Sequence, residues 1–181
     1  MERIVIKSAE NNSDWLDIAG CIYNVQSYDM VIELYHQYGT KCVEKLNGDF
    51  AFVLYDSCKQ LLFGAVDRLG AKTLYYHVGD HAIEYDTAFL PLCKGKEYTI
   101  NPYARQCYFS MQYIPSPYTI VNEVNKLNPG ECFTYSQLTG ELKIWQYWDL
   151  YSNSCRFESP RSYEEAVQMS EFLISDAVRL R

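Results

Sequence analysis

At 181 residues, 48% hydrophobic and 15% aromatic, the chain can bury a sizeable core in one domain, which excludes a disordered polypeptide. A net charge of −7 with no basic run removes the electrostatic term behind nucleic-acid binding. No apolar run reaches bilayer length and MERIVIKSAENN has no secretory h-region, so no membrane partner and a cytoplasmic setting are expected. Seven cysteines, at 21, 42, 58, 93, 107, 132 and 155, are odd in number and never form C-x-x-C. They indicate neither a disulfide framework nor a metal site, and most read as buried reduced thiols.

Arg3 to Lys7 reads as a short strand. Asn11, Asn12, Ser13 and Asp14 are capping residues and predict a short helix through Trp15, Leu16 and Ile18 that stops at Gly20. Ser27 is the expected N-cap of a second helix, with Met30, Val31, Leu34, Tyr35 and Tyr38 at the 3.6-residue period and Gly39 as its stop. Thr40 to Leu46 adds a helical turn. From Phe50 to Tyr55 both alternating faces are apolar, which predicts a central strand covered on both sides. Asp56 to Lys59 breaks it, and Gln60 to Val66 returns as its hairpin partner. Asp67 to Gly70 makes a turn, closed by an Asp67–Arg68 ion pair. Thr73 to Val78 and His81 to Tyr85 follow around Gly79-Asp80, so residues 49 to 85 are expected to form one four-stranded meander.

Asn101-Pro102 is a helix start, because Asn caps free amides and proline at N1 has none to leave unsatisfied. Prolines at 115, 117 and 129 then exclude long regular elements. Glu131 to Tyr135 and Leu142 to Trp148 form a second hairpin through Gln137 to Gly140. Tyr151 to Pro160 has linker composition, and Ser162 with Glu165 forms a capping box for a helix with Ala166, Met169, Leu173, Ala177 and Leu180 on one face. The sum is a sandwiched antiparallel sheet with helices on its outer faces. His36, His77 and His81 are isolated, so neither a Ser-His-Asp nor a Cys-His arrangement has support.

Three segments resemble one known family. Leu46 to Asp56 and Val66 to Tyr76 are similar to the patterns L-x-G-x-F-A-F-x-x-x-D and R-D-x-x-G-x-K-P-L-Y-Y of asparagine synthetases. Tyr113, Ile114, Pro115, Pro117, Thr119, Ile120, Leu127, Pro129 and Gly130 resemble the segment that follows. Tyr147 to Leu150 and the helix after it resemble the passage into the synthetase domain. Together these cover roughly residues 40 to 181 in the family's order, a joint pattern far more specific than any single motif.

The resemblance implies an α+β fold of the N-terminal-nucleophile type, a four-layer sandwich of two antiparallel sheets between helices, here incomplete at the N-terminus. It implies a class II glutamine amidotransferase domain over residues 1–150. Residues 151–181 would be a linker and first helix leading to a missing ATP-pyrophosphatase domain. Mg-ATP would bind there and not in this chain, with glutamine-derived ammonia passed to aspartate. Glutamine and the synthetase domain in cis are the implied partners, and oligomeric state is open.

The family's chemistry uses an N-terminal cysteine whose α-amine is the general base, since an amine near pKa 7.7–8.0 and a thiol near 8.5 are well matched. This chain begins Met1-Glu2, and every cysteine has its nitrogen in a peptide bond, so no catalytic residue is assigned. Asn12 aligns with an asparagine that helps form the oxyanion hole. A rival alignment uses Ile22-Tyr23-Asn24, which leaves too little loop before the next helix; Asn11 and Asn12 serve equally well as a turn and cap. The family's aspartate for the glutamine α-amine falls on Ser27, with Asp29 its replacement only by a shift of register. Val66, Thr73 and Tyr85 to Phe89 depart from the pattern too. The expected role is a glutaminase-like domain inactive by itself. The alternatives are a non-catalytic scaffold in a ligase forming a lactam or macrolactam, and a stand-alone interaction module.

Overall fold

The computed structural model describes residues 13–79, 82–154 and 160–180. They fall into two compact units, one ending at Tyr147 and the other beginning at Trp148. The expected strand at Arg3 to Lys7 lies outside the described residues, as do Asn12, Asp80 and His81.

The first unit opens with a strand, β1 (Trp15–Ile22), where a short helix was expected. The capping residues before it suggested a helix, but the pattern of the strand itself has period two. Leu16, Ile18 and Ile22 join the core on one face, while Trp15 packs into the core on the other. The neighbouring strand supplies eight registered partners, from Trp15 opposite Tyr55 to Ile22 opposite Gly48, which decides the matter against local propensity. Gly20 does not stop a helix. It takes a φ of +103° and lets the backbone pass so close to Asp49 that a Cβ would sit 2.0 Å from its carbonyl oxygen.

Helix α1 (Asp29–Tyr38) ends at Gly39 and runs into a 3-10 segment, Gly39–Lys45. Its N-cap position is Tyr28, which makes no side-chain cap. Ser27, expected there, stands one residue earlier, and its hydroxyl accepts the Asp29 N–H at 3.2 Å. β2 (Gly48–Asp56) and β3 (Leu61–Val66) form the expected antiparallel hairpin. Next come β4 (Tyr75–Val78), β5 (Ile83–Asp86), a short α2 (Phe89–Cys93) and α3 (Pro102–Met111), whose Asn101 side chain caps the Ala104 N–H at 3.1 Å. A two-residue β6 (Asn125–Lys126) precedes the hairpin of β7 (Glu131–Ser136) and β8 (Leu142–Gln146).

The four central strands are not one meander. They divide between a five-stranded sheet, ordered β1-β2-β3-β7-β8, and a three-stranded sheet, ordered β5-β4-β6. The turn after β3 causes the division. Asp67, 2% exposed, accepts hydrogen bonds from the amides of Leu69, Ala71 and Lys72 at 2.9–3.0 Å and winds the chain across to the second sheet. Arg68 does not close this turn on Asp67 as an ion pair; its guanidinium donates to the carbonyls of Glu44 and Leu46. Gly70, at φ +67°, completes the turn against Pro129.

Three buried clusters order the layers. Val31 and Tyr35 of α1 pack on Phe50, Phe52, Leu54 and Phe63 of the five-stranded sheet. The opposite face of that sheet, with Val53, Tyr55, Leu62 and Phe133, packs on Tyr76, Ile83 and Tyr85 of the three-stranded sheet. The far face of the smaller sheet packs Tyr75 with Phe89 and Leu92 of α2. This is a helix, sheet, sheet, helix order, the α+β four-layer sandwich of two antiparallel sheets. Phe63 centres one interface, its ring 5.8 Å from Tyr35, 5.6 Å from Phe52 and 6.4 Å from Trp145. Full burial of such a side chain contributes about 1.5–3 kcal/mol.

In the second unit, α4 (Leu150–Ser154) occupies the first residues of the expected linker. Asp149 caps it by accepting the Ser152 N–H at 2.8 Å, a signal that the Ser- and Asn-rich composition hid. Helix α5 (Tyr163–Arg179) starts as expected on Ser162, which accepts the Glu165 N–H at 3.2 Å. Glu165 answers one residue early, through the Arg161 N–H at 2.7 Å. No helix among the described residues is long and apolar enough to cross a membrane.

Candidate functional site

The loop between β1 and α1 and the first residue of that helix carry Asn24, Ser27 and Asp29, three of the residues weighed from sequence. The loop is tied to the start of β2 at every step. The Tyr23 N–H donates to the Asn47 carbonyl at 2.7 Å, and the Tyr23 hydroxyl to Asp49 at 2.7 Å. Asn24 donates through Nδ2 to the Lys45 carbonyl and accepts the Asn47 N–H at Oδ1, both at 2.8 Å. The Tyr28 hydroxyl reaches back to the Gly20 carbonyl at 3.1 Å. Asn24, the rival oxyanion candidate, therefore has both ends of its carboxamide engaged by backbone.

Ser27 and Asp29 meet each other. The Ser27 hydroxyl donates to Asp29 Oδ2 and accepts the Asp29 N–H, both at 3.2 Å, and both residues are exposed. Asp29 occupies the first turn of α1, where the positive end of the helix dipole favours a carboxylate. Asn12, the third candidate, lies outside the described residues.

Sequence reasoning missed a polar cluster between the two sheets. Asp17 shares its face of β1 with Trp15, which packs against the cluster that holds Tyr85 of β5. Burial, and then the charge of Asp86, hold the Asp17 carboxyl above the usual range. Burial, then Asp17 and Asp86, push the Tyr85 phenol up as well. Tyr85 is 4% exposed, and its hydroxyl has no hydrogen-bond partner among the described residues. The signal was present in the sequence, since Asp17 is an acid on the inward face of an apolar alternation. Assigning a helix to that stretch hid it.

Three of the thiols are held away from the thiolate form, while Cys21 and Cys58 are exposed. Burial pushes Cys42 up to about 12 and raises Cys93 and Cys132 too. Cys21, Cys42, Cys58, Cys93, Cys107 and Cys132 are all free. His36 pairs with Asp14 at 3.0 Å and His77 with the Glu123 carbonyl at 2.7 Å, so neither ring is set against a thiol. No group of three or more His, Cys, Asp or Glu among the described residues could hold a metal ion.

A two-sheet sandwich whose crossover turn carries Asp67, Arg68 and Gly70 defines the class, a four-layer α+β domain. The family model described as glutamine amidotransferase domain matches residues 26–148, and the chain belongs to that family. It is 29% identical over 157 residues to a putative glutamine-hydrolysing asparagine synthetase 2 of Methanocaldococcus jannaschii, covering 84% of this chain and 30% of that protein. It is 33% identical over 156 residues to the amidase chyE of Penicillium rubens, covering 84% of this chain and 22% of that one. Among solved structures it is similar to glutamine phosphoribosylpyrophosphate amidotransferase of B. subtilis, at 13% identity and a TM-score of 0.49. That match covers 81% of this chain and 32% of the other. The chain thus spans less than a third of the length of these relatives. It is a glutamine amidotransferase domain of asparagine-synthetase-like proteins.

Proposed function

We propose that residues 13–147 are the glutaminase-type frame of an ATP-dependent, asparagine-synthetase-like ligase, and that this frame does not itself hydrolyse glutamine. One observation carries the second half. The position that resemblance assigns to the ammonium-binding aspartate holds Ser27, whose hydroxyl is engaged by Asp29 at the surface. A hydroxyl already bonded to a carboxylate is a poor anchor for a charged amine. The raised thiols of Cys42, Cys93 and Cys132 agree with this for those three residues, because a nucleophile must reach the thiolate near neutral pH. In this reading Asn12 and Asp29 are remnants of a glutamine pocket. The synthetase domain in cis carries Mg-ATP and the acceptor site.

The test is glutamate release from glutamine by the intact chain at high concentration, with a calorimetric glutamine titration alongside. The expected results are no release above the uncatalysed background and no saturable glutamine binding. Glutamine binding that disappears in Asp29→Asn would overturn the reading and give Asp29 the ammonium.

A second reading concerns the acceptor. The similarity to an amidase, at an identity no lower than that to an asparagine synthetase, favours a ligase whose acceptor need not be aspartate. A scaffold domain in a lactam-forming or macrolactam-forming relative has the same frame. Assaying the full-length ligase with aspartate and with other carboxylates separates the two.

A further inference from the structure

The outer face of the three-stranded sheet carries a cavity that the glutaminase reading does not use. Tyr75, Phe89, Ile114, Tyr118, Ile120 and Lys126 line a space of about 190 Å³. It lies on the far side of the sandwich from α1, Ser27 and Asp29, beyond the second sheet.

Tyr75 and Lys126 are registered partners across β4 and β6, so both side chains leave the sheet on the same face. Phe89 of α2 stands on that face with its ring 5.8 Å from that of Tyr75. The extended segment through Ile114 and Ile120 makes the other wall and is firmly pinned. The Lys126 N–H donates to the Pro117 carbonyl at 2.9 Å, and the Thr119 hydroxyl donates to the Val124 carbonyl at 2.7 Å.

Lys126 is out of place in such a lining. Its ammonium donates to the Ile114 carbonyl at 3.0 Å, and among the described residues no carboxylate forms an ion pair with it. Burial holds its pKa below the usual lysine range, with no acid among the described residues compensating. A half-buried ammonium bonded only to a neutral acceptor retains two donors and an uncompensated charge, the condition that an anion relieves. Apart from Thr119, whose hydroxyl is given to the Val124 carbonyl, the rest of the wall is aromatic and aliphatic. An apolar cavity of about 150 Å³ accepts a benzene molecule. The volume here suits one ring with a small charged group attached.

We propose that this cavity binds a small monoanion of the arylcarboxylate class, its single ring against Tyr75, Phe89 and Ile120 and its carboxylate paired with Lys126. The ring replaces water on an apolar wall, and the carboxylate supplies the missing counter-charge through a charge-assisted hydrogen bond.

Benzoate is the probe, titrated calorimetrically into the intact chain, with benzamide as its neutral isostere. Saturable one-to-one binding of benzoate is expected, with benzamide weaker by about tenfold or more. Lys126→Met should bring benzoate down to the benzamide level, and Ile120→Trp, which fills the space, should abolish binding of both. Far-UV circular dichroism checks each variant, and the comparison of the two ligands on the unaltered chain requires no variant to fold. Absence of saturable benzoate binding, equal affinity for benzamide, undiminished benzoate affinity in Lys126→Met, or binding that survives Ile120→Trp overturns the proposal. None of these readouts involves glutamine, so the glutaminase reading stands or falls separately.

Discussion

Asp67 and Asp29 are both acids at the start of a turn that leaves one element for the next, and they are held in opposite ways. Asp67 is buried and accepts three backbone N–H groups, so the crossover between the two sheets is built on its carboxylate. Asp29 is exposed at the head of α1 and its carboxylate bonds the neighbouring Ser27. The first belongs to the frame and is over-determined by its surroundings. The second stands where a remnant of the glutamine pocket is proposed above, and few contacts constrain it. The family signature in this chain is concentrated in residues of the first kind, while the departures fall on both kinds, on exposed Ser27 and on buried Val66 and Tyr85.

Removing the Asp67 carboxylate should therefore be the most damaging of the changes considered. In Asp67→Ala three amides lose a charged acceptor in a buried turn, for an expected loss of about 3 kcal/mol. That lowers the melting temperature by roughly 6–12 °C in a domain of this size. Differential scanning calorimetry measures it, and a shift no larger than that of a surface substitution would contradict the role assigned to the turn. Gly64→Ala is expected to come next. Phe133 lies over Gly64, its partner in the neighbouring strand, and a Cβ there would stand 2.1 Å from the ring. Displacing the ring from the inter-sheet core should cost about 1–3 kcal/mol, seen as a lower denaturation midpoint at unchanged slope.

The same contrast explains what the sequence disclosed. The β2–β3 hairpin, the Asn101 cap and the β7–β8 pair were readable because local pattern and tertiary role agree at those positions. β1 was misread because Asn and Ser before Trp15 are good caps, and only its partner β2 makes a strand of residues 15–22. The single meander failed for a similar reason. Nothing local in Asp67 to Lys72 says whether the next strand pairs with the last or crosses to another sheet. That is fixed by three hydrogen bonds to one side chain. At the candidate site the positions of Ser27 and Asp29 at the head of α1 could be read, but their mutual engagement could not, and Asp17 was lost with its strand.

A third acid, Asp56, is intermediate in exposure to pH. It is buried at the end of β2 and accepts from the Lys59 ammonium at 2.6 Å, the Lys59 amide at 3.0 Å and the Tyr35 hydroxyl at 3.0 Å. Burial alone would raise its pKa, but the Lys59 and Tyr35 hydrogen bonds outweigh it and hold the carboxyl below the usual range. A depressed carboxylate contributes stability that is present above its unfolded pKa, about 3.9, and lost as pH falls through the lower folded value. Lys59 is largely exposed, so its share is discounted for solvent. Lys59→Met is expected to cost about 0.5–1 kcal/mol at neutral pH, with the difference gone at an acid pH below the lowered folded value of Asp56. Urea denaturation at both pH values measures it, and a difference independent of pH would remove the ion pair from the account.

The smallest effects are expected at the head of α1. Ser27→Ala removes two exposed hydrogen bonds, one from the Asp29 amide and one to its carboxylate, and solvent replaces both at once. Asp29→Asn keeps the size and an acceptor while removing a favourable charge from the first turn. Each should change stability by no more than about 0.5 kcal/mol, as surface substitutions usually do. The double variant should equal the sum of the two within error, because a contact this exposed couples its partners weakly. A coupling of about 1 kcal/mol or more in that double-mutant cycle would mean that something beyond solvent holds Ser27 and Asp29 together. The site would then be as constrained as the crossover turn, and the contrast between Asp67 and Asp29 would fail where it makes its sharpest claim.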